Sequence, residues 1–172
     1  MIELLIVIAV LGILAVAVLS AINPIEQVNR AKDTGLRSDS EQLLSGIERF
    51  YNFSQYYPWE TSKTQGGTGE VTWQVITGLS NDAGQNFLDV LSQTQAQEIK
   101  QAFVNRLKQR NDMFISKALG AESNVYICFR PQSGAFKKEA EERCNSTDTS
   151  LPTSACNNTD DCGTLGACIC LP

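Results

Sequence analysis

Residues Leu4 to Ile22 form an almost unbroken apolar run, and a single carboxylate, Glu3, stands at its head. Roughly 20 apolar residues at 1.5 Å each reach across a hydrocarbon layer of about 30 Å, so the run is long enough for one membrane crossing. An ionised carboxylate in such surroundings costs about 2.5 to 3.5 kcal/mol unless a partner neutralises it. A secretory signal would open with Lys or Arg and end on small residues; Ala17 to Ala21 could serve as a cleavage site, but the only charge ahead of them is negative. A plain single-span anchor explains the length and leaves Glu3 without a role.

A third reading explains both. The stretch Met1-Ile2-Glu3-Leu4-Leu5-Ile6-Val7-Ile8-Ala9-Val10-Leu11-Gly12-Ile13-Leu14-Ala15 resembles the N-terminal helix of type IV pilins and of the related pseudopilins of type II secretion. The resemblance implies cleavage by a prepilin peptidase after a glycine and methylation of the new N-terminal residue. It also implies a helix that leaves the membrane for the core of a filament, and a Glu3 that pairs with the N-terminal amine of a neighbouring subunit. A buried carboxylate is tolerated when an opposite charge and hydrogen bonds replace its water. The family has an aromatic residue, a threonine and an apolar residue ahead of the isoleucine, behind a glycine and a basic leader; here only Met1 stands, in the apolar position. The sequence is therefore expected to start inside the motif, trimmed or at an internal methionine. Ser20 holds the place of the family's kinking proline, with Pro24 about one turn later. A proline inside a helix removes a backbone hydrogen bond and clashes with the preceding turn. A kink or unwound stretch is expected just before Pro24, with Gly12 a second weak point.

Beyond Pro24 the apolar residues change period. Ile25, Val28, Leu36, Leu43, Leu44, Ile47, Phe50 and Tyr51 recur at helical spacing, with Glu26, Arg30, Lys32, Asp33, Arg37, Asp39, Glu41 and Glu48 between them. This reads as an amphipathic continuation, about 50 helical residues and roughly 80 Å in all. Its apolar stripe is expected to cover a C-terminal head. The aromatic ending, Phe50-Tyr51-Asn52-Phe53-Ser54-Gln55-Tyr56-Tyr57-Pro58, again resembles pilins, and the likeness stops there. The chain divides into an apolar half-helix at 1–24, an amphipathic half at 25–57 and one head at 58–172. The resemblance implies an α+β pilin fold, with short antiparallel strands in that head.

In the head, 58–69 reads as a surface loop and Val71 to Ile76 as a short strand. Thr94 with Gln97 suggests a capping box for a helix over 95–109, with Ile99, Phe103 and Leu107 on one face. Asn124 to Arg130 reads as a strand and Pro131 to Gly134 as a turn, while 135–143 fits either a short helix or a hairpin arm. The six cysteines, Cys128, Cys144, Cys156, Cys162, Cys168 and Cys170, all lie in the head, most of them in the Cys-rich region 144–172. An even count in a chain that resembles exported proteins reads as a disulfide framework, its pairing open among fifteen connectivities. A zinc or iron–sulfur site competes, but paired Cys-x-x-Cys knuckles and histidine are both missing. If Cys168 and Cys170 share a strand they point to one face, so each is expected to clip to another cysteine, Cys128 and Cys144 being candidates. The polar tail, 145–163, would need such staples because it has little apolar surface.

Three weaker signals remain. Asn158, Asp160 and Asp161 could offer oxygens to calcium, though without the spaced carboxylates of a dedicated loop; a solvated acidic loop is the plainer reading. Asn52, Asn145 and Asn157 start Asn-x-Ser/Thr patterns. Phe50, Tyr51, Phe53, Tyr56, Tyr57 and Trp59 could stack nucleic acid or pass charge, but packing of helix on head accounts for them. With no histidine, no phosphate loop and no convergent carboxylates, nothing suggests an enzyme or a cofactor. A net charge of -5 argues against binding nucleic acid by charge. The chain is thus expected to be a structural subunit, a major pilin that polymerises with itself into an extracellular type IV pilus. Its other partners would be a prepilin peptidase, an inner-membrane assembly platform and, before assembly, the membrane. A major pseudopilin is the alternative and a minor, tip-located adhesin the third reading.

Overall fold

The computed structural model describes residues 2–21, 23–61, 69–93, 97–120, 123–146, 151–156, 158–163 and 166–172. Met1, Ile22, Asn157, Thr94 of the expected capping box and most of the 58–69 loop lie outside these residues.

Two helices, not one, lead the chain: α1 (Ile2–Ala21) and α2 (Pro24–Ser54). Pro24 has no N–H to offer the Ser20 carbonyl, so a continuous helix loses a bond there. The chain instead restarts. Asn23 is extended (φ -82, ψ 94) and its side-chain oxygen accepts from the Glu26 N–H, while Pro24 takes the first helical position, where its missing donor costs nothing. The helix α1 runs unbroken through Gly12. At the other end α2 stops at Ser54, short of residue 57, because Gln55 turns left-handed and returns its N–H to the Tyr51 carbonyl.

The head is α+β. Four antiparallel strands lie in chain order: β1 (Val71–Val75), β2 (Met113–Lys117), β3 (Val125–Phe129) and β4 (Ile169–Leu171). Met113, Ile115, Val125, Ile127, Phe129 and Ile169 face the α2 stripe of Leu36, Leu43, Ile47 and Phe50 and close the main core. Phe114, Tyr126, Cys128 and Cys170 face the other way, onto a second core roofed by Leu151, Ala155, Cys156, Cys162 and Cys168. With both faces covered, all five residues of β3 are buried. A register irregularity between Val71 and Gln74 lets β1 serve both cores, Val71 the first and Trp73 the second.

Other elements frame the sheet. The helix α3 (Phe87–Gln93) was not legible in the sequence, and the helix expected over 95–109 is only α4 (Gln101–Leu107). Gln97 has a positive φ of 42 and Lys100 is extended (φ -74, ψ 142), so the helix does not begin earlier. The stretch left open at 135–143 is a helix, α5 (Gly134–Asn145), with Ser133 capping the Phe136 N–H. A 3-10 turn (Thr153–Ala155) and the short α6 (Thr159–Cys162) shape the tail. The 58–69 loop is less superficial than its composition suggests: Trp59 and Glu60 are buried, Glu60 accepting from the Tyr57 and Gly69 N–H groups.

Three disulfides join Cys128 to Cys170, Cys144 to Cys156 and Cys162 to Cys168. Cys170 meets Cys128 directly across the β3–β4 ladder. Cys168 precedes that strand and closes on Cys162, not on Cys128 or Cys144. Sequence separations of 42, 12 and 6 correspond to about 4, 3 and 2 kcal/mol of loop-closure entropy taken from the unfolded chain. The two small rings lie inside the large one, so these contributions are not additive.

Gly46 marks a close approach of the head to α2, since a Cβ there would stand 2.8 Å from the Cγ2 of buried Ile99. Gly46→Ala should therefore lower stability by about 1–3 kcal/mol in urea melts despite its better helix propensity. Gly35→Ala, with nothing within 4 Å of the new carbon, should instead raise it by about 0.5–1 kcal/mol. Equal effects at the two sites would show that the close packing at Gly46 has no bearing on stability.

Candidate functional site

The most unusual surface is α1 itself. Leu, Ile, Val and Ala circle the whole helix, and within its apolar stretch of 19 residues, Ile2–Ser20, none is buried. Thirteen large apolar side chains stand 50% to 76% exposed. At about 1.5–3 kcal/mol for each such side chain taken out of water, leaving them bare costs on the order of 20 kcal/mol or more. That exceeds the whole stability of a typical domain. Nothing among the described residues covers α1, and the helix is long and apolar enough to cross a membrane. Glu3 lies exposed in its first turn with no hydrogen-bond or ion-pair partner among the described residues. Gly12 sits at mid-helix with open space around it.

Below the break, two carboxylates of α2 fasten it to the head. Both Asp33 oxygens accept from the Gln132 N–H (3.0 and 3.1 Å) and one from the Ser133 N–H (2.7 Å). Both Glu26 oxygens accept from the Gly134 N–H at 3.0 and 3.1 Å. Seven residues apart, the two acids lie on one side of α2 and hold three donors at the start of α5, where helix geometry leaves N–H groups free. The Gly134 N–H holds the Glu26 carboxyl below its ordinary 4.5; partial desolvation opposes that, and Arg30 adds to the lowering. Sequence periodicity placed Asp33 and Asp39 among the outward positions, yet both are buried. Asp39 is held by Arg106 (2.6 Å) and Arg110 (3.3 Å). A carboxylate near the edge of an apolar stripe signals such a clamp only once its donors are known, and those lie about a hundred residues on.

The remaining candidates lie in the tail and where α2 meets the head. Asp161 accepts at Oδ2 from Trp73 Nε1 (2.8 Å) and Asn158 Nδ2 (3.0 Å), and Asn158 caps the Asp161 N–H. Arg130 donates to the backbone carbonyls of Asp161 and Asp160, tying α6 to the end of β3. Among the described residues no three His, Cys, Asp or Glu side chains are set to hold a metal. Tyr51, Tyr57 and Trp59 stack in series, with centroids 4.5 and 4.9 Å apart, where α2 meets the head. Phe53 alone of this group is largely exposed. Lys117 is buried, its Nζ lying 4.7 Å from the Tyr57 ring centroid and donating to the Ala118 and Gly120 carbonyls. Burial, then the nearby Tyr51 and Glu60, push the Tyr57 hydroxyl up to about 12, and burial lowers Lys117 against an opposing pull from Glu60.

Comparison of the chain with known protein families, with characterised proteins and with solved structures gives no match.

The carboxylate clamp has a pH signature. The folded value of Glu26 lies below its unfolded one, so its contribution is complete above about pH 4.5 and is lost as pH falls through the lowered value. The Gly134 amide resonance should shift over that acidic window, and Glu26→Gln should abolish the shift; a titration unchanged by the substitution would show that Glu26 does not hold this amide. Asp33→Asn, which leaves buried donors poorly met, should cost about 1–3 kcal/mol in urea melts.

Proposed function

We propose that this chain is a subunit of the type IV pilin family, a major pilin that polymerises through α1 into an extracellular filament. The observation that carries this reading is an apolar helix bare on every side, headed by a single carboxylate and joined through a break to an amphipathic helix with its own folded head. The division matters physically. A helix that can be covered by lipid on one occasion and by copies of itself on another must not be packed against its own domain. The α+β head with its antiparallel sheet and cystine-stapled tail is compatible with the pilin fold and supports the proposal. Before assembly α1 spans the inner membrane, and afterwards the α1 helices bundle inside the filament while the heads form its surface.

Glu3 gives assembly its register. In an apolar bundle an unpaired carboxylate is costly, so the arrangement that brings each Glu3 to the amine of a neighbouring subunit is favoured over arrangements shifted along the axis. The disulfides fit a head that faces an oxidising compartment. A major pseudopilin, acting in a secretion machine, has the same α1 requirements and remains the alternative.

Glu3→Gln keeps the shape and removes the charge. Its subunits should accumulate in the membrane at normal level while filament yield, measured by shearing and electron microscopy, falls at least tenfold; normal yield would overturn the assembly role. A fragment beginning at Asn23, which retains the α2 cap, should be a soluble monomer in size-exclusion chromatography. Filaments formed by that fragment would place the polymerising surface in the head.

A further inference from the structure

The apolar core of the head does not extend to the start of α2. Ile25, Val28 and Lys32 fall at steps of three and four residues on the same side of α2 as buried Leu36, Leu43 and Phe50. Burial of this stripe begins only at Leu36: ahead of it Ile25 is 71% exposed and Val28 54%. The charges here are also unevenly exposed. Glu26 is held by the Gly134 N–H and Arg30, and Asp33 is wholly buried on the Gln132 and Ser133 N–H groups. Arg30 keeps a side chain 59% exposed, and Lys32 has no ion-pair partner among the described residues. The formal charges of 23–35 balance, but both acids are turned onto N–H groups of the head while Arg30 and Lys32 stay exposed, so the outward surface of this overhang is cationic.

We propose that in the unassembled subunit this overhang is a docking collar for an anionic phospholipid surface, with Ile25 and Val28 in the headgroup layer and Arg30 and Lys32 on lipid phosphates. The proposal rests on the reading of α1 as a membrane-inserted helix. Counted at helical rise from the end of the apolar run, Ile25 stands about 4.5 Å and Val28 about 9 Å beyond the hydrocarbon edge, before the extended Asn23 adds about 2 Å, against a headgroup layer of roughly 5–7 Å. Arg30, about 12 Å out, has a flexible stem of roughly 6 Å that reaches back to the phosphates. The break at Asn23 lets α2 lean and bring Val28 and Lys32 within the same layer. Arg30 and Lys32 project about 200° apart around α2 at 100° per residue. One packed neighbour would meet only one of them, whereas a headgroup layer surrounds the helix and meets both. Juxtamembrane cations of this kind are drawn to anionic leaflets.

The test uses the full chain, one copy per bilayer disc, with tryptophan placed at mid-α1 (Leu11→Trp) or on the overhang (Val28→Trp), read above the Trp59 and Trp73 background. Lipids brominated deep in the chain should quench the Leu11→Trp signal. Lipids brominated near the headgroup should quench the Val28→Trp protein at least twofold more than wild type in discs containing phosphatidylglycerol. That excess should fall by at least half in purely zwitterionic discs or on adding R30Q and K32Q. A quenched Leu11→Trp beside a Val28→Trp no different from wild type would overturn the collar and leave the inserted helix standing. An unquenched Leu11→Trp would overturn the membrane reading and the collar with it. Val28→Trp shielded only in filaments would assign the overhang to a second copy of the chain and refute the lipid collar, and quenching indifferent to lipid charge and to both substitutions would remove the phosphate contacts.

Discussion

The contact on which the rest depends is the seating of α2 against β3. Leu36, Leu43, Ile47 and Phe50 bury completely, or nearly so, against a strand that is itself buried along its whole length. At about 1.5–3 kcal/mol for each large side chain, this seam alone supplies much of what a small domain needs. It also fixes direction, because only one side of α2 is apolar from Leu36 onward. The opposite side carries Ser38, Gln42, Ser45 and Arg49, which need no cover. Once α2 is seated, the carboxylates on its flank find their donors. Asp33 and Glu26 reach the start of α5, Asp39 reaches Arg106 and Arg110, and Arg37 reaches Glu139.

A sheet seated in this way has a second face, and the chain has few apolar residues left to cover it. The solution is cystine. Cys162, Cys168, Cys156 and Ala155 roof Phe114, Tyr126 and the Cys128–Cys170 bridge, so sulfur contributes packing as well as cross-linking. A tail of Ser, Thr, Asn and Asp could not otherwise hold a fixed course, for it lacks the surface to offset its own conformational entropy. Trp73, stacked on Phe114 and donating to Asp161, ties this roof to the edge strand β1.

How much of this was legible in the sequence depended on how local each cause was. The apolar run, the break before Pro24, the amphipathic stripe and the strands around Val71 and Val125 rest on neighbouring residues, and all are visible in periodicity and turn chemistry. Met113–Lys117 has only three apolar residues in a row, and its status as a strand comes from partners on both sides, so no local pattern announces it. The helix expected from residue 95 fails for a similar reason. Its spacing is right, but the chain must first bend left-handed at Gln97 to bring Ile99 down onto Gly46. The buried carboxylates were misread as solvent-facing because a one-dimensional pattern scores charge as outward, whatever waits for it across the fold. The bare helix α1 was the most legible feature of all, since its meaning lies in what the chain does not provide.

The Cys128–Cys170 bridge changes how the head can come apart. A three-residue edge strand such as β4, paired on one side alone, would ordinarily fray. Here that edge strand is covalently fastened to the strand that seats α2. Tension or an invading protease at this edge meets a closed ring rather than a loose end. Opening is thereby diverted to the unstapled edge at β1 or to detachment of α2, so resistance to wear is set by the β1–β2 pairing and the α2 seam and not by β4.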